Sequence, residues 1–136
     1  MPRKTPVYGI DTSVFVRLLT GEPEADFKKM TQAIRRRLDA EPSAEIVVSN
    51  QVIGEAYIAL QHHYDISKNE ARTAMLQLFN SGSLSPLNGN PVIQILNTQT
   101  GCGLIDRLIA QDYEQVGADV LTNDRKMSKL ENAQLL

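Results

Sequence analysis

The chain has 136 residues, 42% apolar and 22% charged, with a formal charge of −2 at pH 7. That length suits one domain over 1–136, the composition is that of an ordinary globule, and no run approaches the ~20 apolar residues needed to cross a bilayer. The near balance of charge neither demands nor forbids a nucleic-acid partner, because setting aside the four carboxylates discussed below leaves a slight positive excess. A lone Cys102 makes no internal disulfide, and Met1-Pro2-Arg3-Lys4-Thr5-Pro6 lacks the long apolar core of a secretion signal, so the expected location is cytoplasmic with no membrane association.

In chain order, residues 7–10 are short, apolar and β-rich and predict a buried strand. Asp11, Thr12 and Ser13 supply capping groups for a short helix from about 14 to 19, ended by Thr20 and Gly21. Phe27, Met30, Ile34 and Leu38 recur at spacings of three and four, which predicts a helix over 24–38. A second strand follows at 46–49. Ser49 or Asn50 then caps a helix reaching about His63, and Ser67-x-x-Glu70 is a capping box for a helix over 67–79. The segment 80–90 reads as loop, with a brief strand at 84–87. Pro91 starts a helix to about 99, Thr100–Gly103 breaks it, and a longer one runs from about 104 to 116, closed by Gly117. A third core strand at 120–122, a short basic helix at 125–130 and a terminal strand at 133–136 complete the chain. Strands alternating with helices predict an α/β fold, a three-layer α/β/α domain with a central, mostly parallel sheet.

Four acids stand out against this outline. Asp11 ends the first strand, Asp124 lies two residues past the third, and Glu55 and Asp106 sit early in helices. Singly, three of them read as local structure. Asp11 and Asp124 suit a cap or turn, and Glu55 suits the start of a helix; Asp106, at the margin of the stripe Leu104, Ile105, Leu108 and Ile109, is harder to dismiss. Together the reading changes, because residues at the carboxyl ends of parallel strands converge on one sheet edge. Carboxylates at ~4 Å repel by about 1 kcal/mol in water and about 4 kcal/mol at an effective dielectric near 20. A hard cation relieves that repulsion, and an oxygen-only ligand set suits Mg²⁺ or Mn²⁺ rather than zinc or copper. Mg²⁺ favours a few carboxylates plus substrate phosphate oxygens, which points to phosphoryl-transfer or phosphodiester chemistry.

The segments Gly9-Ile10-Asp11-Thr12-Ser13-Val14-Phe15, Val52-Ile53-Gly54-Glu55-Ala56, Asp106-x-x-Ile109-Ala110 and Gly117–Asp124 resemble, in order and spacing, the signatures of PIN-domain nucleases, most closely their VapC-type toxin branch. The resemblance implies an endoribonuclease using Mg²⁺ or Mn²⁺ on single-stranded or loop RNA, inhibited by a cognate antitoxin protein and pairing as a homodimer. It matches Asp11, Glu55, Asp106 and Asp124 to the acidic quartet, Thr12 or Ser13 and Thr122 to supporting hydroxyls, and Asn123 to a commonly polar position. Many relatives carry a further acid and an aromatic soon after the quartet; Arg125, Lys126 and Met127 stand there instead. In the mechanism that follows, Asp11, Asp106 and Asp124 hold one metal or two, and Glu55 either ligates or acts as general base.

Other features yield less. Arg125, Lys126 and Lys129 follow Asp124 and are placed for an RNA phosphate, with Arg17 a weaker candidate. Arg35, Arg36 and Arg37 fan around a helix, so a solvated face is the better reading. His62 and His63 end a helix, where the dipole favours them. Three Phe, four Tyr and no Trp offer no evident platform for stacking bases. The helices at 24–38 and 67–79 carry apolar residues in apparent excess of the core, a candidate antitoxin groove or dimer face. Two rival functions compete with the ribonuclease. A haloacid-dehalogenase-like phosphatase wants a second acid two residues after the first, where Ser13 stands; the other rival is a non-catalytic binding module, which leaves the complete quartet unexplained.

Overall fold

The structure, a computed structural model, describes residues 5–136. The reading of Met1–Lys4 as part of a start without a secretion signal lies outside the described residues. The elements run β1 (Val7–Gly9), α1 (Thr12–Thr20), α2 (Glu24–Ala40), β2 (Glu45–Val48), α3 (Asn50–His63), α4 (Lys68–Asn80), β3 (Ser85–Pro86), α5 (Asn90–Asn97), α6 (Leu104–Glu114), β4 (Val120–Thr122), a 3-10 turn (Met127–Lys129) and β5 (Ala133–Leu135). All strand pairing is parallel, in an α/β fold with the three-layer α/β/α arrangement. The ladder comes in two pieces, β1-β2-β3 and β4-β5. Val7 pairs with Glu45, Val47 with Ser85, and Val120 with Ala133.

Strand β2 lies centrally and shows the period of two expected of a half-buried strand, with Ile46 and Val48 inward and Glu45 and Val47 more exposed. Onto Ile46 and Val48 pack Phe15 from α1, Ile53 and Leu60 from α3, and Met75 and Phe79 from α4. Val92 and Leu96 of α5 and Leu104 and Leu108 of α6 complete this core. Fully burying such side chains contributes about 1.5–3 kcal/mol each. A smaller cluster, Ala110, Val120 and Met127 with Leu130 and Ala133, holds β4, the 3-10 turn and β5 against α6. No described helix is long and apolar enough to cross a membrane.

Several expected bounds shift for local reasons. The basic helix over 125–130 shrinks to the 3-10 turn, because Asp124 caps it and Leu130 is already extended. Helix α6 stops at Glu114, and Gly117 at φ 73° turns the chain into β4. Helix α4 does not offer a free apolar face: Ala71, Met75 and Phe79 lie in the core. Its capping box is present, Ser67 Oγ accepting from the Glu70 N–H at 3.1 Å and Glu70 Oε1 accepting from the Ser67 N–H at 3.3 Å. Ser67→Ala is therefore expected to lower stability by about 1 kcal/mol, read as a lower urea midpoint at unchanged slope. Arg72 on α4, buried although charged, donates to the Thr98 carbonyl at the end of α5 and stands 6.0 Å from the Tyr57 ring centroid. A cation there satisfies a helix C-terminus that would otherwise end in unpaired carbonyls.

Candidate active site

Helix α1 begins where β1 stops, and its first turn organises the site. The Asp11 backbone is extended, and its Oδ1 accepts from the Val14 N–H at 3.0 Å and the Ser13 hydroxyl at 2.8 Å. The Val14 N–H first, then the Ser13 hydroxyl, hold the Asp11 carboxyl below the ordinary aspartate value, against a smaller opposing effect of burial. Since the folded value is the lower one, the ionised form contributes stability that is complete above the ordinary aspartate range. That contribution is lost as pH falls through the depressed folded value. An NMR titration of the Asp11 carboxyl carbon is expected to give a midpoint below that of an unstructured peptide; a midpoint at or above the peptide's removes the cap from this account.

Thr12 works across helices. Its hydroxyl donates to Glu55 Oε1 at 2.5 Å, tying the start of α1 to the second turn of α3. Gln51, one turn before Glu55, donates to its other oxygen, Oε2, at 3.4 Å. The Glu55 carboxylate is thus directed by two neighbours, one of them the residue that follows Asp11. The local cause is that β1 and β2 are adjacent and parallel, so the helices that follow them start at the same sheet edge.

Helix α6 packs closely on α3 where Gly54 lies under Ile105. A Cβ on Gly54 would sit 3.0 Å from Ile105 Cδ1, so only glycine gives this approach without displacing the isoleucine. Glu55 and Asp106 are the next residues on the two helices. Arg107 braces the loop before α6, its Nη2 donating to the Thr100 carbonyl at 2.5 Å and its Nε to the Cys102 carbonyl at 3.2 Å. Gly101, at φ 83°, leaves room for that guanidinium, since a Cβ there would lie 2.7 Å from Nη2. Burial pushes the Cys102 thiol up, with Arg107 pulling the other way and the charges of Asp106 and Asp124 adding to the rise. Both acids therefore bear on one sulfur, and burial disfavours the thiolate that a nucleophile needs.

Asp124 follows β4. Its Oδ1 accepts from the Met127 N–H at 2.9 Å, and its own N–H donates to Thr122 Oγ1 at 3.0 Å, so Thr122 shapes the turn that presents it. Asn123, Arg125, Lys126 and Lys129 are exposed around it. Glu55 is thus tied to Thr12, the neighbour of Asp11 in the chain, and the charges of Asp106 and Asp124 both bear on the Cys102 thiol. Among the described residues, no three carboxylate, His or Cys side chains stand close enough together to hold a metal ion. Mutual repulsion favours that spread. The donor chemistry, three aspartates and a glutamate supported by hydroxyls, fits a hard divalent cation.

The rest of α6 departs from the expected stripe. Ile109 is 41% exposed, whereas Gln111 is buried. Gln111 Oε1 accepts from Asn50 Nδ2 at 2.8 Å and from Asn88 Nδ2 at 2.7 Å, and Asp112 Oδ1 accepts from the same two amides. This polar network ties α3 and α6 to the β3–α5 connection, and Asn50 is the buried residue at its centre. The sequence reading saw Asn50 only as a cap. Arg35, Arg36 and Arg37 are exposed, and Arg37 lies over the Tyr8 ring at 5.3 Å.

A family model described as PIN domain matches residues 8–133. The chain belongs to the PIN-domain family, whose members are in general nucleases, and its fold is of that nuclease type. Neither the curated proteins nor the solved structures gave a significant match.

Proposed function

We propose that this protein is a Mg²⁺- or Mn²⁺-dependent endoribonuclease whose site is the quartet Asp11, Glu55, Asp106 and Asp124. The observation that supports this reading is the Thr12–Glu55 hydrogen bond, which ties the acid of α3 to the residue that follows Asp11. Asp11, Asp106 and Asp124 would hold the metal, directly or through bridging waters. A divalent ion bound there supplies Lewis acidity toward the scissile phosphate and a lowered pKa for a bound water. Glu55, directed by Thr12 and Gln51, takes the proton of the attacking water. Arg125, Lys126 and Lys129, exposed beside Asp124, meet neighbouring RNA phosphates.

We infer further that the protein is the toxin of a cytoplasmic toxin–antitoxin pair. The half-buried side of α2 offers the antitoxin an apolar groove of about 290 Å³ between Met30, Ile34 and Leu38 and the Tyr8–Ile10 strand end. A second copy pairs across α3 and α6, where Ile58 is 48% and Ile109 41% exposed at a shared groove. Of the two helices expected to form the antitoxin groove or dimer face, α4 turns its apolar residues into the core, so the dimer face is proposed on α3 and α6 instead.

The test is cleavage of single-stranded RNA with Mn²⁺, its reversal by EDTA, and a thermal melt with and without the metal. A ligand that binds only the folded state at a hundred times its Kd adds about 2.7 kcal/mol, a rise easily seen in the melt. Metal stabilisation without RNA cleavage favours the binding module, and hydrolysis of a small phosphomonoester alone revives the phosphatase. Growth arrest on expression, relieved by a small protein encoded beside it, tests the toxin role; a strict monomer in light scattering removes the dimer.

A further inference from the structure

We propose that the pocket between α1 and α3 is a substrate subsite for single-stranded RNA, taking a nucleotide that flanks the scissile phosphate, with Arg17 on its phosphate and Tyr64 against its base. The proposal rests on the nuclease reading above. The Thr12–Glu55 hydrogen bond closes the groove between the two helices at the quartet end. From there the α1 wall continues through Ser13 and Val16 to Arg17, and the α3 wall through Ala59 to His63 and Tyr64, around a pocket of about 440 Å³. The pocket is thus continuous with residues that touch Asp11 and Glu55, so a strand cut there must leave along it or across it.

Arg17 lies six residues beyond Asp11, about 9 Å along the helix axis. That is too far for the scissile phosphate and suits a neighbouring one. Its Nε is buried and has no hydrogen-bond partner among the described residues, and Nη2 stands 4.0 Å from Asp26 Oδ2, while the side chain as a whole is 35% exposed. The accessible end of the guanidinium is free to give a phosphate oxygen a charge-assisted bond in place of that long ion pair. Tyr64 is 36% exposed and forms part of the pocket wall, with the exposed His63 beside it. Aromatic rings stack bases with little regard for sequence. Glu22 occupies the wall near Pro23, and its charge repels a phosphate there, which directs the phosphate toward Arg17 and the base toward Tyr64.

Fluorescence anisotropy with a labelled single-stranded RNA, Ca²⁺ replacing Mg²⁺ to slow cleavage, tests the subsite. Arg17→Gln is expected to weaken binding about tenfold and to reduce the salt slope by roughly 0.7, the share of one single-strand phosphate contact; Arg17→Lys recovers part of both. Tyr64→Leu is expected to weaken binding about tenfold, while Tyr64→Phe stays within about twofold of wild type. Melts of each variant verify folding, and the conservative pair carries the test should a harsher variant unfold. Arg17→Gln and Tyr64→Leu both binding like wild type overturns the subsite while a wild type that still binds and cuts RNA preserves the nuclease reading. A wild type that neither binds nor cuts RNA overturns both.

Discussion

Asp11→Asn is expected to lower RNA cleavage by more than about a hundredfold while leaving the fold in place. Loss of an outer partner of a metal ligand commonly costs about 10–100-fold, and a direct ligand exceeds that. The fold survives because Asn caps helices about as well as Asp, so the Val14 N–H and the Ser13 hydroxyl keep an acceptor at this position. The discriminating readout is paired. Cleavage and the Mn²⁺-induced rise in melting temperature should both disappear, whereas the melt without metal stays close to wild type. Undiminished cleavage by the variant, purified free of wild-type enzyme, would falsify the assignment of the quartet.

Phe15→Ala is expected to remove about 3–5 kcal/mol of stability. Phe15 has no exposed surface, and its ring lies 5.8 Å from that of Phe79, tilted by 31°. It is thus the pin that fixes α1, and with it Asp11 and Thr12, onto the core beneath α4. Against a typical margin of roughly 5–15 kcal/mol the loss is large, and the melting temperature should fall by roughly 10–20 °C. Phe15→Leu keeps most of the volume and should cost far less. A loss under about 1 kcal/mol for the alanine variant, by chemical denaturation, would mean that α1 is held in some other way.

Much of this arrangement could be read from residue order alone, and the reasons are local. Asp11 as cap, Ser67 and Glu70 as a capping box and the alternation of Ile46 and Val48 each depend on neighbours within a few positions. The short strands and the parallel topology they imply followed from such signals. What escaped notice depends on contacts between distant residues. Nothing near Thr12 says that its hydroxyl meets Glu55, 43 positions on. Nothing near Gln111 in sequence says that it is buried, because its partners Asn50 and Asn88 lie far off in the chain. Tyr64 was counted among scattered aromatics because only the folded groove sets it opposite Arg17.

The modest apolar cluster under the β4–β5 pair has a dynamic consequence. Three buried residues, Ala110, Val120 and Met127, and the amide of Asn132 on the Ala110 carbonyl join this C-terminal piece to α6, whereas β2 sits in the main core through Ile46 and Val48. Opening free energy follows the amount of packed surface, so amide protons of Val120 and Leu121 should exchange with deuterium well before those of Ile46 and Val48. Asp124 follows β4 on this piece, so in the proposed site each such opening would displace its carboxylate.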